Sequence, residues 1–572
     1  MEFVVFTGIL LLLFVFMIAQ ELVQAKKQEK QFRKFLRENY GKEPPKEYSL
    51  ERFARLGSYL ERHKEEKQLD DITWNDLGMD AVFCRIDRTC SAAGEEYLYY
   101  TLRNISCGKE ALEHLEEVVN WLEEQEDTKV RIQLLMKRLG HLGKYSLYDY
   151  LDNLDYLGER SNRKILLGNL LYLPFLALLF VQPAVGSVGI VVCMLWHILT
   201  YFKEKKVIEP YIISFAYVLR LVDVCEELEK QKIPVYQKEL EELRKVLKSL
   251  RELKRGSYWV MAGNQGRIGG NPLDILADYL RMILHLDILQ FNRMLEKLRK
   301  KTGQVEIMLT ITGYLDMAIS VGGFRRSLEG YCIPQLEEEA KDAFLHMEKG
   351  WHPLLTHPVK NSIRADRGIL LTGSNASGKS TFLKMVAVNA VLAQTIHTCA
   401  AERYHAPVFS IFSSMALRDS MENGESYYIV EIRSLKRILD AAQEKDGPVL
   451  CFVDEVLRGT NTVERIAAAT QIMIRLAESG ALGFTATHDI EMTELLKEYY
   501  DNYHFEEVIR DGDILFPYQL LPGKASTRNA IRLLQMMGYD GEIIKKASGQ
   551  AENFLKTGKW TENPSLISEG TT

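Results

Sequence analysis

Eight cysteines are scattered along 572 residues, at positions 84, 90, 107, 193, 225, 332, 399 and 451, and no two of them stand in C-x-x-C spacing. That arithmetic excludes a zinc ribbon and a disulfide-framework domain, and it suits a reducing compartment. A surplus of positive charge is also missing. The chain has 72 Lys and Arg against 78 Asp and Glu, a formal net charge of −6. Dedicated nucleic-acid binders are usually basic overall, so contact of that kind would have to come from a local patch. There is no internal repeat and no low-complexity tract, which sets repeat architectures aside. Basic residues are absent from the extreme N-terminus. The chain starts Met1-Glu2, enters the uncharged run Phe3–Ala19, and meets Lys26, Lys27, Lys30, Arg33 and Lys34 only afterwards. A cleaved signal peptide has the reverse order, so the run reads as a retained membrane anchor.

What is present begins with two further apolar runs. Ile165–Val181 and Val185–Phe202 contain no charged residue and are separated by Gln182-Pro183-Ala184. Each is about one membrane span long. Arg160, Arg163 and Lys164 precede the pair, and Lys203, Lys205 and Lys206 follow it. Basic feet on both sides predict a transmembrane hairpin at 165–202 with its ends in the cytoplasm, in agreement with the first anchor. His197 inside the second run reads as a satisfied interior histidine as readily as a functional one.

The rest of the first half is helical in pattern. Leu240, Leu243, Leu247, Leu250 and Leu253 form an apolar seam, while Arg244, Lys248, Arg251 and Arg255 line another face. That basic stripe is a candidate for phosphate contact, although a solvated helix face produces the same pattern. Lys297, Arg299, Lys300 and Lys301 suit the negative end of a helix dipole and need no ligand.

From about residue 350 the pattern changes to short β-rich runs separated by glycines and helices, as in an α/β nucleotide domain. Gly368–Thr381 reads as a strand running into Gly373-Ser374-Asn375-Ala376-Ser377-Gly378-Lys379-Ser380-Thr381, with a helical run directly after. This is a P-loop in its proper strand–loop–helix setting. Its backbone N–H groups would cradle phosphates, Lys379 would reach the β- and γ-phosphates, and the Ser380 hydroxyl would sit on Mg²⁺. Val449–Glu455 is a second apolar strand, ending in two carboxylates. Asp454 is placed to complete a Mg²⁺ shell and Glu455 to polarise an attacking water. A third strand, Leu482–Ala486, ends in Thr487-His488-Asp489, which puts His488 beside the same site, to sense the γ-phosphate or to orient water. Gly424 and Ser426 precede another helix. One domain cannot easily aim two helix N-termini at one γ-phosphate, so the sequence predicts a head-to-tail pair of domains in which Ser426 completes the other copy's site.

These elements together resemble the ATPase domain of the MutS family of DNA mismatch-repair proteins. The resemblance covers Gly373–Thr381, the segment Asp419 to Glu431, Asp454-Glu455 followed by Arg458-Gly459-Thr460-Asn461, and Thr487-His488. Trp351-His352-Pro353 resembles the family's segment at the domain entrance, and Asn502–Glu507 and Pro522–Ser526 its closing strands and loop. Upstream, Ile86–Thr89 with Ala93-Gly94 and Leu98 look like the start of the family's helical core, and Tyr314–Asp316 and Tyr331–Pro334 like its end. The resemblance implies an ABC-type, Mg²⁺-dependent ATPase that dimerises around ATP. Lys379, Glu455 and His488 would be catalytic, Ser380 and Asp454 would hold metal, and His352 would join the P-loop in binding nucleotide. Closure around ATP would move helical levers. A counterpart of the family's mismatch-reading Phe-x-Glu wedge is missing, and a membrane hairpin stands where lever arms would extend toward DNA.

The expected architecture is mixed. A membrane anchor at 1–25 and a linker at 26–69 lead to a helical core and lever domain at 70–345, interrupted by the hairpin. An α/β P-loop ATPase domain with a helical dimerisation element follows at 346–560, then a tail at 561–572. The expected molecule is a multi-pass cell-membrane protein with a cytoplasmic ATPase domain, homodimeric, acting on DNA. The alternative is a membrane scaffold or signalling ATPase that engages a protein partner and not DNA.

Overall fold

The computed structural model describes residues 16–560 apart from 17–19, 21–22, 25, 45–47, 49, 66, 106–107, 142–145, 251–278, 341, 375–376, 416–426, 445–446, 458–459, 511–512 and 526–529. The expected anchor at 3–19, residues Asn375, Ala376 and Ser426, the Arg251 and Arg255 end of the basic stripe and the tail therefore lie outside the described residues, save Phe16 of the anchor. The chain divides into two compact units, one of residues 1–68, 81–329 and 395–397, the other of 69–80, 330–394 and 398–572.

The first unit is helical. Its named elements include α1 (Leu50–Arg62), α2 (Ala92–Arg103), α3 (Lys109–Glu124), α4 (Glu126–Leu139), α5 (Arg163–Leu170), α6 (Tyr172–Val181), α7 (Pro183–Leu228), α8 (Gln237–Leu250), α9 (Leu286–Arg299) and α10 (Thr302–Ser327). The central element is α10. It is apolar enough to pass for a membrane span, yet 83% of its most apolar window is buried inside the protein, so it is a core helix. The two stretches that the sequence placed at the start and end of a helical core meet here. The Asp316 carboxylate on α10 accepts the Ser91 backbone N–H at 2.9 Å and its hydroxyl at 2.6 Å, and the Cys90 N–H at 3.0 Å. It thus serves donors that the N-terminus of α2 cannot satisfy within its own helix. Gly94 makes this contact possible, because a Cβ there would lie 2.4 Å from Asp316 Oδ2. Leu240, Leu243, Leu247 and Leu250 of α8 are buried as the seam predicted, while Arg244 pairs with Glu229 at 2.6 Å. Arg299 closes α9 and donates to the carbonyls of Leu154 and Gly158.

Two helical stretches, Arg163–Val181 and Pro183–Glu209, are long and apolar enough to cross a membrane. Their most apolar windows are only 11% and 22% buried. Phe180 is 91% and Leu199 72% exposed. The turn falls at Gln182, and Pro183 opens α7, where its missing N–H costs nothing. The helix α7 then runs unbroken for 46 residues, so its second half carries Phe215, Tyr217, Leu219, Val222 and Cys225 into the core.

The second unit is α/β. Its strands are β1 (Gln335–Glu337), β2 (Leu345–Gly350), β3 (Asn361–Ala365), β4 (Gly368–Thr372), β5 (Arg403–Pro407), β6 (Ser410–Ser414), β7 (Val449–Asp454), β8 (Leu482–Ala486), β9 (Tyr500–His504), β10 (Val508–Arg510), β11 (Asp513–Leu515) and β12 (Leu521–Pro522). The main sheet has six of them in the order β12-β9-β4-β8-β7-β6. All neighbours in it pair in parallel except β12, which runs antiparallel to β9. A smaller sheet has the order β1-β5-β2-β3, and β10 pairs with β11. Strands β4 and β8 are buried throughout, which explains why neither carries a charged residue. The helices α11 (Lys379–Ile396), α12 (Tyr427–Glu444) and α13 (Thr462–Glu478) follow β4, precede β7 and follow β7. The short helix Asp71–Leu77 belongs to this unit and covers the edge strand β6. There the Asp76 carboxylate accepts the Ser413 hydroxyl at 2.7 Å and the Met415 N–H at 2.8 Å. An edge strand left bare would invite pairing with another chain.

Candidate functional site

In an open parallel sheet the binding crevice lies beyond the carboxyl ends of the strands. Three strand ends meet at that place here. β4 delivers the P-loop. Gly373 sits at φ 136, a conformation L-residues avoid, and a Cβ on it would lie 2.5 Å from the Phe505 carbonyl. Only glycine lets the loop leave the strand this way. The Ser377 hydroxyl donates to the Ser374 carbonyl at 2.7 Å, closing the loop on itself. Lys379 heads α11, and its ammonium donates to the carbonyls of Gly373 at 2.7 Å and Ser374 at 2.9 Å. A buried cation is thereby held across the mouth of the loop.

Next on α11, the Ser380 hydroxyl donates to the Asp454 carboxylate, which ends β7. A hydroxyl and a carboxylate in contact form an all-oxygen set of the type a hard divalent cation accepts. Among the described residues no cluster of three or more His, Cys, Asp and Glu forms a protein-only metal cage. The Ser380 hydroxyl and Asp454 carboxylate are donors that suit Mg²⁺.

Glu455 follows with φ 58, and Leu457 with φ 57. Side chains in this region carry strain of about 1–3 kcal/mol each unless their surroundings hold them. Two contacts do so: the Glu455 N–H donates to the Ala486 carbonyl at 2.9 Å, and the Leu457 N–H donates to the buried Glu431 carboxylate on α12. The turn places the Glu455 carboxylate 2.9 Å from His488 Nε2 at the end of β8. Asp489 fixes the histidine's backbone from the other side, pairing with both Nε and Nη2 of Arg465 on α13 at 3.0 and 2.6 Å. The Asp489 carboxylate makes Arg465 hold its proton more firmly than an ordinary guanidinium does.

Beside the P-loop is a cleft of about 330 Å³ lined by His352, His357, Gly378, Thr381, Phe505 and Tyr518 among others. Asn361 shapes its wall by donating to the Tyr518 carbonyl at 3.0 Å and accepting the Leu520 N–H at 2.8 Å. His352 is 7% exposed, and burial, reinforced by Lys384, lowers its pKa to about 4. The ring is therefore neutral near pH 7. An aromatic and imidazole wall around a mostly apolar slot accepts a flat heterocycle.

Sequence reasoning thus chose residues that the fold gathers at one crevice: the P-loop, Lys379, Ser380, Asp454, Glu455, His488 and His352. It did not single out Glu431, Arg465, His357 or Tyr518. Nothing local distinguishes a glutamate that bonds a backbone N–H twenty-six residues later, or a tyrosine brought to the cleft by a remote asparagine.

Residues 369–555 match the family model for MutS domain V. Over 223 residues the chain is 32% identical to the DNA mismatch repair protein MutS of Thermus thermophilus and 33% identical to that of Thermus aquaticus, in each case over 38% of this chain and 26% of the relative. The MutS of Natronomonas pharaonis is 29% identical over 273 residues, 46% of this chain and 31% of its own length. The chain thus spans about a quarter to a third of the length of these relatives. The P-loop, the Ser380–Asp454 contact and the Glu455–His488 pair all fall inside the matched segment, and it is through this segment that the chain is similar to MutS proteins.

Proposed function

We propose that this chain is a Mg²⁺-dependent ATPase that binds ATP across the crevice, the adenine in the His352–Tyr518 cleft and the phosphates on the P-loop. The observation that carries this reading is the convergence of Ser380–Asp454 and Glu455–His488 at adjoining strand ends. Lys379 and the loop N–H groups hold the phosphates. Ser380 and Asp454 hold Mg²⁺, which supplies neutralisation of phosphate charge. Glu455 accepts the proton of the attacking water, and His488 fixes the carboxylate's direction and senses the γ-phosphate. Ser426 of a second copy completes the site, so the working form is a homodimer closed through its ATPase domains. The hairpin at 165–202, together with the apolar run at 3–19, seats the chain in the cell membrane with the ATPase on the cytoplasmic side. Closure moves the helical unit as a lever.

The relatives' names point to DNA as what the lever works on, and α8 would be the contact. A second reading has a specific observation behind it. Arg244, the first residue of the basic stripe, already pairs with Glu229, which makes it less available to phosphate; the alternative reading is a membrane scaffold that engages a protein partner and not DNA.

Detergent-solubilised chain should release phosphate from ATP only with Mg²⁺. Asp454→Asn should abolish release while a fluorescent ATP analogue still binds, and unchanged turnover would remove the metal assignment. Recovery of the intact chain in the soluble phase after carbonate extraction would remove the membrane reading.

A further inference from the structure

Cys332 and Cys399 lie opposite one another in an isolated antiparallel bridge within the ATPase unit. Each donates its N–H to the other's carbonyl at 3.0 Å. Residues that exchange both backbone bonds have Cα atoms roughly 5.5 Å apart, inside the range a disulfide spans. The Cys399 thiol donates to the Asn389 carbonyl at 3.5 Å, and both cysteines are free. Cys332 is half-buried and open to a small oxidant, whereas Cys399 is fully buried. We propose that Cys332 and Cys399 form a reversible redox site, closed to a disulfide by a hydroperoxide and reopened by a dithiol.

The division of labour follows from the environment. The neighbouring Cys399 thiol pulls the Cys332 thiol below its usual range, and burial pushes the Cys399 thiol up. The Cys332 thiolate attacks the peroxide. An S–O bond forms, the O–O bond breaks, sulfur is oxidised to the sulfenic acid, and hydroxide or alkoxide leaves. The Cys399 sulfur then attacks that sulfenic sulfur. The S–S bond forms, the S–O bond breaks, and water leaves with the Cys399 proton. Two thiols and one hydroperoxide thus become one disulfide, one alcohol or water, and one water. In a reducing compartment a disulfide of this type is a transient, sensing one.

The bond would fasten one particular place. Cys399 is followed by Ala400, whose carbonyl accepts the Trp351 N–H at 2.9 Å and whose N–H donates to Asn389 at 2.7 Å. Asn389 on α11 in turn donates to the Trp351 carbonyl at 3.1 Å. The disulfide would therefore clamp residues 330–334 to the loop that carries Trp351-His352, one wall of the nucleotide cleft. The proposal stands whether or not the chain hydrolyses ATP.

The test is a non-reducing peptide map of the full chain after a short exposure to equimolar hydrogen peroxide and alkylation of remaining thiols. The expected result is a linkage between tryptic peptides 327–341 and 385–403, lighter by two hydrogens than the pair and released by dithiothreitol. Cys332 should be consumed about tenfold faster than Cys84 or Cys90, as its lowered thiol predicts. Cys332→Ser, at a half-buried position, should fold, lose the linkage and leave Cys399 unmodified. Recovery of both residues alkylated, over-oxidised without linkage, or joined to other cysteines would overturn the proposal. So would modification of Cys399 at the same rate in the Cys332→Ser chain.

Discussion

Replacing Glu455 with Gln separates nucleotide binding from hydrolysis more cleanly than any other change in this protein. The backbone that aims the side chain is untouched, because its strained φ is held by the bond to the Ala486 carbonyl and by Glu431 beneath Leu457. Glutamine has the same length and can still meet His488 Nε2, now 2.9 Å from the carboxylate. What is lost is the ability to take a proton. General-base catalysis by a positioned side chain contributes roughly 10²–10⁴-fold, or about 3–5 kcal/mol of barrier at 1.36 kcal/mol per decade. Single-turnover phosphate release should fall by that factor while the affinity for a fluorescent ATP analogue changes less than about threefold. A His488→Ala change acts through the same carboxylate, so the double variant should be little slower than Glu455→Gln alone, since residues that act as a unit are not additive. Release within about fivefold of the parent chain, with binding intact, would refute the assignment of Glu455 as base, because the expected loss is at least about a hundredfold.

Three further outcomes follow from the geometry. Gly373→Ala drives a Cβ to 2.5 Å from the Phe505 carbonyl, so nucleotide binding should be lost and thermal unfolding of the α/β unit should occur several degrees lower; unchanged binding would mean the loop can leave β4 by another path. Asp316→Ala leaves the Cys90 and Ser91 N–H groups and the Ser91 hydroxyl without this acceptor, and urea unfolding of the helical unit should show a loss of about 3–9 kcal/mol, at 1–3 kcal/mol per orphaned buried donor. His352 takes its proton near pH 6.5 in the unfolded chain and near pH 4 in the folded one, so between those values the unfolded chain binds more protons. Stability should therefore fall as pH drops from 6.5 to 4, by roughly 3 kcal/mol at 1.36 kcal/mol per unit, and a His352→Gln chain should lack that part of the acid loss in melts taken across the window.

The crevice beyond the strand ends was legible because its parts announce themselves locally. A P-loop is one contiguous run, and Asp454-Glu455 and His488 each end a strand whose apolar sequence gives its burial away. Strand ends in a parallel sheet are neighbours, so three such signals point to one place. The cleft wall was legible only through resemblance. His352 and Tyr518 lie far apart in sequence, and they share a wall because Asn361 bonds the backbone on both sides of Gln519, at the Tyr518 carbonyl and the Leu520 N–H. Hydropathy alone would have misled at α10, where a helix apolar enough for a bilayer is instead wrapped by its own protein. Burial by protein and burial by lipid demand the same side chains, and only the packing tells them apart. The short helix Asp71–Leu77 was equally silent. Asp76 reaches Ser413 across 337 positions, and no pattern near either one announces the other.

The long helix α7 has a mechanical meaning. At 1.5 Å per residue its 46 residues run for up to about 69 Å, an exposed apolar half and a core-embedded half joined across Pro210, whose missing N–H takes one i→i−4 bond out of the helix. The helical path on either side of that proline couples the heading of one half to the other. One residue inserted near Lys205 would turn the exposed half by about 100° relative to the core, whereas four would nearly restore its heading and add only about 6 Å. Whatever surrounds the hairpin is thus geared to the helical core by rotation as well as by reach.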